Sequence, residues 1–97
     1  MGSVRLTADG AVGKSGRPTR VFTVLMTSGA GGQGELVLRN GTGATGTIYI
    51  QKDGAAGASH TDIFDFGPQG VTFPDGCFFD KETNAASIVV ECISENS

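Results

Sequence analysis

Between Glu35 and Asp53 the sequence runs through two alternating segments joined by a glycine-rich reversal, a pattern that leaves room for little except paired strands. Leu36, Leu38, Ile48 and Ile50 occupy alternate positions, with Glu35, Arg39, Thr47, Tyr49 and Gln51 between them. Successive side chains of a strand point to opposite faces, so each segment offers one apolar and one mixed face. The link Asn40-Gly41-Thr42-Gly43-Ala44-Thr45-Gly46 is rich in residues that reach positive φ cheaply, and the whole reads as a hairpin.

The rest of the chain repeats this grammar. Val4-Arg5-Leu6 gives a short first strand closed by Asp9-Gly10, and residues 11 to 18 read as a polar loop. Thr19 to Thr27 is the most apolar stretch, with Val21, Phe22, Val24, Leu25 and Met26 broken only by Thr23. Near-continuous apolarity of this kind predicts a central strand covered on both faces, by an outer partner or at a subunit interface. After glycine-rich connections at 28–34 and 53–60, Thr61 to Phe66 forms a weaker strand. Val71 to Phe73 and Cys77 to Phe79 flank Pro74-Asp75-Gly76, which predicts a second hairpin. A polar link at 81–86 leads to Ser87–Ile93, with Ile88, Val90 and Cys92 on one side and Val89, Glu91 and Ile93 on the other, and Ser94 to Ser97 is a polar tail.

No segment carries a helical period longer than a turn. The expectation is one all-β domain over residues 1–97, a β-sandwich or jelly roll of about eight short antiparallel strands, with a small barrel as the alternative. Its expected core comprises Val21, Phe22, Val24, Leu36, Leu38, Ile48, Ile50, Phe73, Phe78 and Val90. A chain of 97 residues buries about 60 to 65% of the surface its unfolded form exposes, enough for one modest core and no enclosed substrate chamber.

Chemistry is scarce in this sequence. Val12-Gly13-Lys14-Ser15 suggests a phosphate loop, but Ala8 stands where the first glycine belongs, and Gly16 and Pro18 follow where a helix must begin. Asp53, Asp62 and Asp65 match no calcium-loop spacing, and His60, the single histidine, has no Ser or Cys companion in a nucleophile motif. Cys77 and Cys92 with one histidine are too few for a zinc site, and in apolar surroundings without a secretory signal they are expected to be buried free thiols. No catalytic, cofactor-binding or metal-binding set is therefore assigned, and a non-enzymatic role is expected. The absence of Trp and the single Tyr49 disfavour a sugar platform or a base-stacking surface, so no direct contact with nucleic acid is expected. No apolar run approaches the roughly 18 residues a membrane span needs, which leaves no expected membrane partner.

The net charge of −3 conceals a polarity along the chain. Residues 1–52 carry six basic against two acidic side chains, a balance of +4, whereas residues 53–97 carry one basic against eight acidic, a balance of −7. Lys14, Arg17 and Arg20 concentrate the positive charge in one segment, read as a mobile basic loop and the candidate interface.

Val4-Arg5-Leu6-Thr7-Ala8-Asp9-Gly10, Gly16-Arg17-Pro18-Thr19-Arg20-Val21, Leu38-Arg39-Asn40-Gly41-Thr42, Gly70-Val71-Thr72-Phe73 and Gly76-Cys77-Phe78-Phe79-Asp80, with the valine-rich closing strand, resemble small β-sandwich structural proteins of tailed bacteriophages. The resemblance implies a capsid decoration, or cement, protein of the virion, made in the host cytoplasm and assembled as a homotrimer on the major capsid protein or other virion subunits. A tail, neck or fibre adaptor built on the same sandwich, and a module that binds host glycans, are the alternatives. The family has no catalytic residues to carry over.

Overall fold

The computed structural model describes residues 2–29, 32–54, 60–81 and 85–94, which form nine strands and no helix. Parts of the expected loops at 28–34 and 53–60, of the link at 81–86 and of the tail at 94–97 lie outside the described residues. In chain order the strands are β1 (Gly2–Leu6), β2 (Gly10–Val12), β3 (Thr19–Ser28), β4 (Glu35–Asn40), β5 (Thr47–Asp53), β6 (Thr61–Asp65), β7 (Val71–Phe73), β8 (Cys77–Phe79) and β9 (Ala85–Ser94). They build two antiparallel sheets. One has the order β1-β9-β3-β6, with β7 also paired to β3, and the other has the order β2-β8-β4-β5. The fold is a small β-sandwich, and the two separate sheets exclude the barrel that the sequence pattern left open.

One buried cluster lies between the sheets, with Val21, Val24, Met26, Ile88 and Val90 contributed by the first and Val12, Leu36, Leu38 and Phe79 by the second. Phe73 and Phe79 are its largest fully buried side chains, and each such ring stabilises the fold by about 1.5 to 3 kcal/mol. Among the described residues, the two buried polar side chains are both satisfied. Thr19 Oγ1 donates to the Arg17 carbonyl at 2.9 Å, and Ser28 Oγ accepts from Gly34 N at 3.1 Å.

Three features depart from the pattern read in the sequence. The first is the interior of β3, which is central as expected, with β9 along one side and β6 and β7 end to end along the other. Val21 pairs with Cys92 and Thr23 with Glu91, so Phe22 is an extra residue, a β-bulge. The bulge resets the alternation, which lets Val21 and Val24 both point inward although they are three positions apart. Consecutive apolar residues thus arise here without full cover on both faces, and Phe22 itself is only half-buried.

A second bulge changes the β4–β5 hairpin. Leu38 pairs with Ile50 and Arg39 with Ile48, leaving Tyr49 as the extra residue on β5. The slip moves Ile48 from the expected core to the outward side, where it is 39% exposed, and brings the Tyr49 ring against the buried Phe73 ring at a centroid distance of 5.3 Å. The third departure is the turn at 74–76. It is not a hairpin, because β7 lies in one sheet and β8 in the other, so Pro74-Asp75-Gly76 is a corner that carries the chain across the sandwich. Alternation within β8 buries Cys77 and Phe79 and turns Phe78 outward, between Ala11 and Arg39 in the neighbouring strands, where it is half-buried.

The sequence-based expectation also missed β2. Val12, assigned to a polar loop, is fully buried and pairs with Cys77. A three-residue strand carries too little periodic signal to be distinguished from a loop.

Arg39 ties the four-stranded sheet together on its outer side. Its Nε donates to Asp80 Oδ2 at 2.8 Å and its Nη1 to the Gly46 carbonyl at 2.8 Å, so one guanidinium joins the end of β8 to the β4–β5 loop. The same loop is held from the corner by Asn40, whose side-chain amide donates to Asp75 Oδ2 and accepts from Asp75 N. The ion pair is partly buried, with 22% and 14% of the two side chains exposed. Arg39→Ala is expected to cost about 2 kcal/mol, in the range of hydrogen bonds to charged groups, and to lower the thermal midpoint by about 10 °C. Differential scanning calorimetry measures this directly.

Candidate interaction surface

Lys14, Arg17 and Arg20 are all exposed, but they do not form one mobile loop. Arg20 belongs to β3, where its neighbours across the sheet are Thr72 of β7 and Ile93 of β9. Lys14 and Arg17 stand in the β2–β3 connection, a turn closed by Arg17 N donating to the Lys14 carbonyl at 3.2 Å. That turn is fastened to the end of β9. Lys14 N donates to Ser94 Oγ at 2.9 Å, and the Ser94 and Thr19 hydroxyls are bonded at 3.1 Å. Gly13 sits at φ +79° directly over this contact, and a side chain there would collide with the Ser94 hydroxyl.

The structure brings two of the three cations to either side of Ile93. Arg20, Thr72, Pro18, Thr19 and Ile93 line a shallow hollow of about 250 Å³. Lys14, Cys92, Ser94, Gly13, Val4 and Ile93 are among the residues lining a second, more open one of about 320 Å³. Ile93, 45% exposed, is the ridge between them, while Arg17 lines neither hollow. Sequence alternation placed Ile93 on the outward side of the last strand. It could not show that the ridge is flanked by charges more than seventy residues earlier in the chain.

A second apolar feature covers the outer face of the five-stranded sheet. Ile63, Leu25 and Val89 stand opposite one another in adjacent strands, and the row continues to Arg5 on β1. Ile63 is 67% exposed, and Leu25 and Val89 are half-buried.

Of the remaining polar candidates, three have local contacts. Asp65 Oδ1 accepts from Gly67 N at 2.9 Å and shapes the turn after β6, and the Asp62 carboxylate lies against Gly54. The His60 carbonyl accepts from Ser28 N at 2.7 Å. Among the described residues no group of three or more His, Cys, Asp or Glu side chains is placed to hold a metal ion, and no helix is long and apolar enough to cross a membrane. Burial pushes both thiols up from their ordinary range, most strongly at Cys77. No family model, no curated protein and no solved structure matches this chain.

Proposed function

We propose that this chain is a non-enzymatic structural protein of a tailed-phage virion, a decoration protein that binds the assembled head shell and bridges neighbouring coat subunits. The observation that carries the reading is the Ile93 ridge between Arg20 and Lys14. An exposed isoleucine flanked by two cations suits a protein contact in which apolar burial supplies affinity and rim charges supply encounter rate and register. The motif resemblance supplies the virion context. The exposed row of Ile63, Leu25 and Val89 offers further apolar area for a neighbouring copy in a homotrimer.

Binding to purified undecorated shells tests this. Ile93→Asp is expected to weaken binding by about 10- to 100-fold, the loss of a central apolar contact. Lys14→Glu with Arg20→Glu is expected to slow attachment at low salt, with the deficit shrinking near 0.15 M, where the Debye length is about 8 Å. Reversal at Arg17, which lines neither hollow, should matter less. The free proteins should keep their stability to within about 1 kcal/mol, because the altered groups are exposed. Wild-type binding by Ile93→Asp would remove the ridge from the contact. An adaptor in the tail or neck would bind those particles instead of shells, which makes purified tails the necessary comparison.

A further inference from the structure

Cys77 and Cys92 come from opposite sheets and meet in one core. Cys77 opens β8 and pairs with Val12 of β2, while Cys92 lies on β9 and pairs with Val21 of β3. Both belong to the same buried cluster, at 1% and 5% exposure. The chain fixes their proximity independently of the cluster. Val12, the partner of Cys77, is followed by Gly13 and Lys14, and these are fastened to Ser94, two residues beyond Cys92. Ionising Cys92 would also raise the Cys77 thiol beyond the effect of burial, which places the two sulfurs within electrostatic range of each other.

The two thiols differ in access. Cys92 lines the open hollow beside Lys14 and Ile93, whereas Cys77 lines neither hollow on that surface. Cys92, a wall residue of that hollow, is the nearer of the two to solvent, which makes it the candidate entry thiol and Cys77 the candidate resolving thiol.

We infer that Cys77 and Cys92 are a redox-formed cross-link site, present as free thiols under reducing conditions and converted to an inter-sheet disulfide by a low-molecular-weight disulfide oxidant. In the first step the Cys92 thiolate attacks one sulfur of the oxidant, a mixed disulfide forms, and the departing half leaves as a thiolate that takes up a proton. In the second, the Cys77 thiolate attacks Cys92 Sγ and the other half leaves in the same way. Two protein S–H bonds and the oxidant's S–S bond are broken. One protein S–S bond and two small-molecule S–H bonds are formed, so two electrons pass to the oxidant.

Folded protein incubated with oxidised glutathione is the test, read by intact mass and by thiol titration after denaturation. The wild type is expected to lose two hydrogens, retain no glutathione, remain a single chain and yield a Cys77–Cys92 peptide on digestion. The cross-link closes a loop of about 15 residues and should raise the thermal midpoint by about 10 °C or more, reversed by dithiothreitol. Cys77→Ser, with Cys77→Ala as a second variant in case the hydroxyl is not tolerated in the core, should stop at a stable glutathione adduct on Cys92. Cys92→Ser should leave Cys77 unmodified. A wild type that keeps both thiols, accumulates the mixed disulfide or forms disulfide-linked dimers would overturn the assignment.

Discussion

Leu38→Asp is expected to abolish the folded state. Leu38 is fully buried on β4, an inner strand of the four-stranded sheet, with Ile50 and Phe79 opposite it in the two neighbouring strands. Removing the leucine side chain from such a site costs about 2 to 5 kcal/mol. Burying an unpaired carboxylate, or protonating it to avoid the charge, adds several more. The total is comparable with the roughly 5 to 15 kcal/mol that a domain of ordinary stability holds in reserve, and a chain of this size lies toward the low end of that range. Circular dichroism and the soluble fraction after expression report the outcome. Ile48→Asp is the matched control on the same hairpin. The bulge at Tyr49 leaves Ile48 39% exposed, so this variant should fold with a change below about 1 kcal/mol. If both variants behaved alike, the register of the hairpin would be wrong.

Gly76→Val is expected to be strongly destabilising. Gly76 sits at φ +105° in the corner that carries the chain from one sheet to the other, and it is buried. Its N–H donates to the Phe73 carbonyl at 3.2 Å and its carbonyl accepts from Gly41 N at 2.9 Å. A Cβ there would stand 2.9 Å from Gly16 N and 3.3 Å from Gly16 Cα, both backbone atoms of the β2–β3 turn. Backbone strain costs about 1 to 3 kcal/mol and overpacking about as much again, so a loss of roughly 2 to 6 kcal/mol and at least 10 °C in melting temperature follows. Gly67 shares a positive φ of 82° but has open space around it, so Gly67→Val should show the strain without the collision. The difference between the two melts isolates the packing of the corner.

Several elements were legible in the sequence for identifiable reasons. The inward face of β9 follows strict alternation, and Leu36, Leu38, Ile50, Ile88, Val90 and Cys92 are buried as alternation predicts, although Val37 between the two leucines is buried as well. What alternation cannot reveal is a bulge. Phe22 and Tyr49 each add one residue on one strand only, and each moves a side chain to a face that a strict count of two does not predict. Nor does a turn sequence state which strands it joins. Asp75-Gly76 reverses the chain equally well within a sheet or between sheets, and here the pairing partners of β7 and β8 decided the matter. The candidate surface was half visible. Lys14 and Arg20 stand out as charges, but Ile93 meets Arg20 only through the β3–β9 register and Lys14 only through the fastening of the β2–β3 turn to Ser94.

Because β9 lies between β1 and β3, the five-stranded sheet cannot close until residues 85–94 have left the ribosome. Until then β1 has no neighbour in its sheet, and one whole edge of β3 goes unpaired while Val21, Val24 and Met26 wait for cover. Of the pairings in either sheet, only β4 with β5 joins strands adjacent in the chain. Before β9 emerges, the four-stranded sheet and the pairings of β3 with β6 and β7 already have all their strands, so what waits for the last strand is the attachment of β1 and the cover of one long edge of β3.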